Sequence, residues 1–199
     1  MTERNETALA MPRRGLLAGT GRLTLSTVAV GLLAGCGSRA SDQAQAMKAQ
    51  TATQAQDVDI LNSALGLEYE AIAAYQLGAE SGLLQKPVLD VAVAFQGDHT
   101  SHAELLSNTI RKLGGQPVSP KPISAYPFRT DRLRTQADVL RFAAELEKGA
   151  ASAYLGAVPA FTNKDLAKAA ASILGAETMH WAVLRNALGE PPVPSPFVT

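Results

Sequence analysis

From Asp57 onward, apolar residues recur at three- and four-residue steps, the spacing of one face of an α-helix. The first such block carries Leu61, Ala64, Leu65, Glu68, Ile72 and Tyr75 on one side and should end near Ser81-Gly82, ahead of Pro87. The second opens near Pro87, a good first-turn residue, and runs Val91, Ala92, Phe95, His99, His102, Leu106, Thr109, Leu113 until Gly114-Gly115 stops it. The third spans about Thr135 to Val158, with Leu140, Ala143, Glu147, Ala150 and Tyr154 aligned. In the fourth, Thr162 is the expected cap and Asp165 sits in the first turn. Leu166, Ala170, Ile173, Glu177, His180, Leu184 and Leu188 form its face.

The pattern predicts an all-α protein of four helices, each about 36–40 Å long at 1.5 Å per residue. Short turns join the first helix to the second and the third to the fourth, so each pair is an antiparallel hairpin. Residues 116–134 hold Pro117, Pro120, Pro122 and Pro127 and no clear period. A loop of about 20 residues is long for a compact domain, but it reaches roughly 65 Å when extended. It can therefore run the length of a bundle and start the third helix beside the start of the second, giving a four-helix bundle with one crossover.

Composition narrows the classes. Of 199 residues, 46% are hydrophobic, 18% charged and 5% aromatic, which is too apolar for a disordered chain and too poor in aromatics for a typical β-sandwich. The 18 basic and 18 acidic side chains cancel, so nothing advertises nucleic acid as a partner. No phosphate-binding or dinucleotide-binding glycine motif is present.

The chemistry lies in polar residues at positions where the pattern calls for apolar ones. Glu68, His99, His102, Glu147, Glu177 and His180 all fall on the buried faces, and they include all three histidines of the chain. Charged groups in a bundle core are costly unless they are paired or bound to metal. Glu177-Thr178-Met179-His180 is a Glu-x-x-His pair, whose members project from one helix face, and His99-Thr100-Ser101-His102 has the same spacing. An internal repeat adds to this. Leu67-Glu68 is followed seven residues after the glutamate by Tyr75, and Leu146-Glu147 likewise by Tyr154. Glu68 precedes His102 by 34 residues and Glu147 precedes His180 by 33, so two hairpins related by a pseudo-two-fold axis would bring six ligands together.

On these residues the chain resembles the ferritin-like superfamily of dinuclear-metal four-helix bundles, and more narrowly the exported bacterial ferritin-like domain proteins. The resemblance covers about residues 57–190. It implies one or two ions, iron or manganese first, with zinc or copper not excluded. It also implies Glu68 and Glu147 as terminal ligands, Glu177 as a bridge, and His102 and His180 on one ion each. Tyr75 and Tyr154 match positions where members keep a tyrosine near the site. The departure is His99, which stands where the family pattern has a glutamate. A carboxylate is lost and an imidazole gained, which suits zinc, copper or iron better than manganese. Asp98 lies about 100° round the helix and could replace that carboxylate only if the helix shifted. Glu70, Glu104 and Glu145 are two residues off the ligand rows and should face water.

Two functional readings stay open: a metal-dependent oxidoreductase or metal-handling protein, and a metal-free bundle acting as a stress-related or partner-binding scaffold. In the second, the six residues form only a hydrogen-bonded polar centre. The tyrosines read first as core packing with a hydroxyl handle, and Trp181 as a core or interface aromatic. Haem between two histidines would leave three glutamates unexplained, and no Cys-x-x-Cys-His is present.

The first 35 residues read as an address. Arg13 and Arg14 precede a short apolar stretch, Leu23 to Leu33, as in an export signal of the twin-arginine type. Leu33-Ala34-Gly35-Cys36 resembles the lipobox of bacterial lipoproteins, and Cys36 is the only cysteine. That implies lipidation at Cys36, a membrane-anchored periplasmic location, a polar tether over 36–56, flexible or weakly helical, the bundle over 57–190 and a Pro-rich tail over 191–199. The chain without residues 1–35 keeps 14 basic and 16 acidic side chains, so the membrane partner would be held by the lipid and not by charge. Whether the chain forms a homodimer is left open.

Overall fold

The computed structural model describes residues 34–198, with side chains from residue 42 onward. Arg13, Arg14 and the apolar stretch up to Leu33 lie outside the described residues, as does the Cys36 side chain. The chain divides into two units, 1–42 and 43–199. Every regular element among the described residues is helical: α1 (Ala34–Glu80), α2 (Lys86–Lys112), α3 (Gln136–Ala157) and α4 (Lys164–Ala187), with single 3-10 turns at Ile123–Ala125, Thr130–Arg132 and Val158–Ala160.

Residues 43–56, read from the sequence as a tether, are exposed and fully helical. The reason is local. The stretch is rich in alanine and glutamine, with no proline or glycine, so helix propensity carries it without a packed face. The side-chain amide of Gln54 donates to the Leu113 carbonyl at 2.8 Å, tying this arm to the end of α2.

The helix ends follow from their caps. Pro87 lies in the first turn of α2. At its far end Gly114 adopts a left-handed φ of 76°, and the Gly115 N–H returns to the Ile110 carbonyl at 2.9 Å. Gly115 serves a different need: a Cβ there would lie 2.6 Å from Cγ1 of Val58, so α1 could not pack as closely. Thr135 and Asp138 close a reciprocal capping box on α3. The cap of α4 is Asn163, accepting from the Asp165 N–H, and not Thr162. Thr162 is diverted to α1. Its N–H and hydroxyl both donate to Asp57 at 2.8 Å, and the Asn163 N–H adds a third bond at 3.2 Å.

The predicted topology is present. The Gln85 N–H donates to Oε1 of Gln136 at 2.8 Å, which places the start of α3 beside the start of α2. The crossover loop is held along its course by Asn62, which donates to the Gln116 carbonyl at 3.0 Å and accepts from the Val118 N–H at 2.8 Å. Phe128 then packs edge-on against Phe142 of α3, with ring centroids 5.3 Å apart. The buried face of α2 differs from the expected one. Ala103, Ser107 and Ile110 are also buried, while Thr109 is only half-buried and Leu113, half-buried, packs against the core as expected. An α-helix turns every 3.6 residues, so a stripe drawn at 3.5 drifts off the core over 27 residues.

Two apolar clusters bracket the centre of the bundle. Leu61, Leu65, Leu106, Ile110 and Ile173 belong to one, Leu140, Ala144 and Leu184 to the other. Burial of each large aliphatic contributes about 1.5–3 kcal/mol. No described helix is long and apolar enough to cross a membrane.

Asp57 is 3% exposed and is the common acceptor for three donors at the head of α4. Asp57→Ala should cost about 1–3 kcal/mol and lower Tm, whereas Asp59→Ala, at an exposed position, should change stability by less than about 0.5 kcal/mol. Thermal unfolding followed by circular dichroism distinguishes the two, and equal effects would refute this role for Asp57.

Candidate metal centre

Along α2, α3 and α4, the polar residues picked out from the sequence fall between members of the two apolar clusters; on α1, Glu68 follows Leu65 of the first. Glu68 comes from α1, His99 and His102 from α2, Glu147 from α3, and Glu177 and His180 from α4. Their ligand atoms form two groups of four, each within 4.8 Å: Glu68, His99, His102, Glu177 and His99, Glu147, Glu177, His180. The groups share His99 and Glu177.

His99 sits between the carboxylates of the two repeats. Its Nδ1 is 2.8 Å from Oε2 of Glu68 and its Nε2 is 3.2 Å from Oε1 of Glu147. Glu177 also faces both groups, with Oε1 3.0 Å from Nδ1 of His102 and Oε2 3.8 Å from Nδ1 of His180. The tyrosines of the repeat are exchanged across it. The Tyr75 hydroxyl of α1 donates to Oε1 of Glu147 on α3, and the Tyr154 hydroxyl of α3 donates to Oε1 of Glu68 on α1 at 2.5 Å.

The donors fit a bound cation. Five buried atoms lack a well-formed hydrogen bond: Nδ1 of His102, Nδ1 of His180, Oε2 of Glu147 and both carboxylate oxygens of Glu177, of which Nδ1 of His102 and Oε1 of Glu177 form an ion-pair contact at 3.0 Å. Buried polar atoms are rarely left this way, and here they are metal-ligating types gathered at one place. The outer nitrogen of His180 is engaged elsewhere, 3.1 Å from Oδ2 of Asp98. An N–H donated there leaves the Nδ1 lone pair facing the centre, as a ligating imidazole requires. Phe95 stacks on the His180 ring at 4.0 Å and fixes its plane.

The electrostatics are those of mutual compensation. Burial pulls His99 down, but hydrogen bonds to Glu147 and Glu68 outweigh it and lift the imidazole to about 10. His102, beside Glu177 and Glu68, and His180, beside Glu147 and Glu177, are likewise lifted against burial to about 9. Burial raises Glu68 and Glu147, yet the facing histidines hold both below the usual carboxylate range. Burial, then the adjacent glutamates, push both tyrosine hydroxyls well up, so they stay protonated donors.

All six sequence-predicted residues therefore meet, and Tyr75 and Tyr154 touch the centre. Asp98 was expected to matter only if the helix shifted. It stays largely exposed and acts from outside, on the far nitrogen of His180. Glu104 and Glu145 face water, but Glu70 is half-buried. Glu70 and Glu145 line a pocket of about 200 Å³ between α1 and α3 that reaches His99 and Glu147. Trp181 is half-buried and flanked by cations, with Arg185 and Lys148 at 5.6 and 5.9 Å from its ring.

Residues 56–190 match the pattern of the ferritin-like domain, so the chain belongs to that family. Solved structures share the fold. A conserved hypothetical protein from Mycobacterium tuberculosis superposes with a TM-score of 0.60 at 19% identity, covering 67% of this chain and 98% of its own. A ferritin-like, diiron-carboxylate protein from Bacillus anthracis does so at 0.57 and 22% identity, covering 68% and 97%. No curated protein matches the chain.

The histidine shifts fix the sign of a pH effect on the metal-free protein. Groups raised on folding stabilise fully below their unfolded value of about 6.5, and that stability is lost as pH rises through about 9 to 10. The Tm of chelator-treated protein should therefore fall between pH 7 and 10. A Tm that holds constant or rises over that range would contradict the imidazolium–carboxylate arrangement.

Proposed function

We propose that the chain is an envelope metal protein holding one or two transition-metal ions, iron or manganese first, between its four helices. The observation that carries this reading is Glu177, fully buried, with one oxygen turned to each ligand group and neither in a well-formed hydrogen bond. Glu68 and Glu147 would be terminal ligands, Glu177 the bridge, His102 and His180 one ligand each, and His99 the shared imidazole. Bound ions of this kind supply redox chemistry toward oxygen species, or are simply stored. The protein's part is to orient the donors. The tyrosines fix one oxygen of each terminal glutamate, Asp98 fixes the His180 ring, and the apolar clusters limit water. The Bacillus anthracis neighbour, a diiron-carboxylate protein, agrees with such a donor set. Zinc and copper also suit three imidazoles.

A second reading rests on the charge count. Three imidazolium groups and three carboxylates neutralise one another, so the centre is also a closed polar network without metal, as a scaffold would need. Elemental analysis decides between them. The chain purified without chelators should carry one to two equivalents of iron or manganese, and Glu177→Ala/His180→Ala should carry none. His99→Glu, which restores the fourth carboxylate, should raise manganese retention. No metal in any form, even after reconstitution with iron(II), would leave the scaffold reading.

The location is part of the proposal. Arg13-Arg14, the apolar stretch and Cys36 support export by the twin-arginine route and lipidation at Cys36. That route carries folded proteins, which lets metal be loaded before transport. Wild-type chain should fractionate with membranes and Cys36→Ser should appear in the soluble periplasmic fraction. An identical distribution of the two would remove the lipid anchor.

A further inference from the structure

Beside the centre lies a cavity of about 130 Å³ lined by residues of all four helices and by Leu84 of the α1–α2 connection. Every lining side chain is apolar except for the Tyr75 hydroxyl, and that hydroxyl is committed to Glu147. A trapped water needs two to four polar partners, which these side chains do not offer. An enclosed apolar cavity of about 150 Å³ takes up benzene or xenon, and here the exposed Pro87 and Val183 form a rim through which a ligand can enter.

The space is kept open by small residues on separate helices. Ala74 and Gly78 on α1, Ala92 on α2 and Ala143 on α3 line it where larger residues would fill it. A Cβ at Gly78 would come within 3.1 Å of Cγ1 of Val139 on the opposite wall. Leu140 and Leu184, both buried members of the second apolar cluster, form part of its wall.

We infer that this cavity is a binding site for a small uncharged apolar molecule, up to about the size of benzene, held against the ring of Tyr75. The Tyr75 side chain lines the cavity and is hydrogen-bonded to a candidate ligand. An occupant is thus separated from Glu147 by a single side chain. Its use as a substrate rests on the metal reading above, whereas its binding does not.

The test is titration of the metal-free and the metal-loaded chain with benzene, read by methyl NMR shifts and by Tm. Saturable binding is expected, with a raised Tm and shifts concentrated on the methyls of Val139, Leu140 and Leu184. Ala92→Leu and Ala143→Leu fill the cavity from different helices. Each should weaken binding at least tenfold while helix content and metal content stay as in wild type, and should one fail to fold, the other still tests the site. Benzylammonium, of similar shape but charged, should bind at least tenfold more weakly than benzene. No saturable binding to wild type, shifts mapping elsewhere, or unchanged affinity in a folded filled variant would overturn the inference. Benzene binding by a chain that never takes up metal would keep the site and remove the metal reading. Metal uptake without benzene binding would do the reverse.

Discussion

The structure turns on one imidazole held between two buried carboxylates. His99 reaches Glu68 through one nitrogen and Glu147 through the other. Three glutamates cannot be buried side by side without compensation, because each would carry a large desolvation cost. His99 joins α2 to α1 and to α3 at the same point, and so sets the depth at which the three helices meet. The tyrosines then take the other oxygen of Glu68 and the same oxygen of Glu147, each from the opposite repeat. What is left over is Glu177 on α4, whose two oxygens face His102 at 3.0 Å and His180 at 3.8 Å without a well-formed hydrogen bond.

On the metal reading, this balance would make protons and metal ions competitors. With three imidazolium groups the centre is neutral. An incoming cation must displace protons from the histidines that ligate it. His99, lifted to about 10, gives up its proton least readily, because both of its nitrogens are hydrogen-bonded to carboxylates, whereas His102 and His180 each stand at about 9. A glutamate at this position would reverse the sign: the metal-free centre would then hold excess negative charge and call for cations. Exchanging one residue therefore moves the resting state from metal-demanding toward self-sufficient. It also shifts preference from hard cations that want oxygen donors to those that accept nitrogen.

The centre was legible in the sequence because it breaks the periodic pattern: charged residues at apolar positions stand out where surface charges do not. The repeat of Glu68 and Tyr75 by Glu147 and Tyr154 made the pairing of the hairpins legible too. Which tyrosine bonds which glutamate was not, because the exchange depends on how the hairpins face each other. Asp98 escaped because helix-face reasoning asks what points inward from one helix. Its partner, His180, comes from the neighbouring helix and offers a nitrogen turned away from the centre. Asp57 escaped for a similar reason, since an acid at the start of a helical pattern looks like a solvated first turn. The cavity beside Tyr75 is a negative feature, made by alanines and a glycine that in a sequence look like ordinary helix filler.

The pseudo-symmetry of the two repeats is incomplete, and the incompleteness has a direction. Oε2 of Glu68 is occupied by His99, while Oε2 of Glu147 is free. Asp98 orients His180, next to Glu147. The pocket between α1 and α3 reaches the centre at His99 and Glu147, and the apolar cavity meets it through Tyr75, which bonds Glu147. A pocket of about 150 Å³ likewise meets Glu68 through Tyr154, so the asymmetry rests on the free Oε2 of Glu147, on Asp98 beside His180 and on the pocket that reaches Glu147 itself. Glu68, with both oxygens hydrogen-bonded, is built to hold its position. Glu147, with one oxygen anchored and one open, has the free lone pairs to take a new partner, so the chemistry we propose would fall on the Glu147–His180 side.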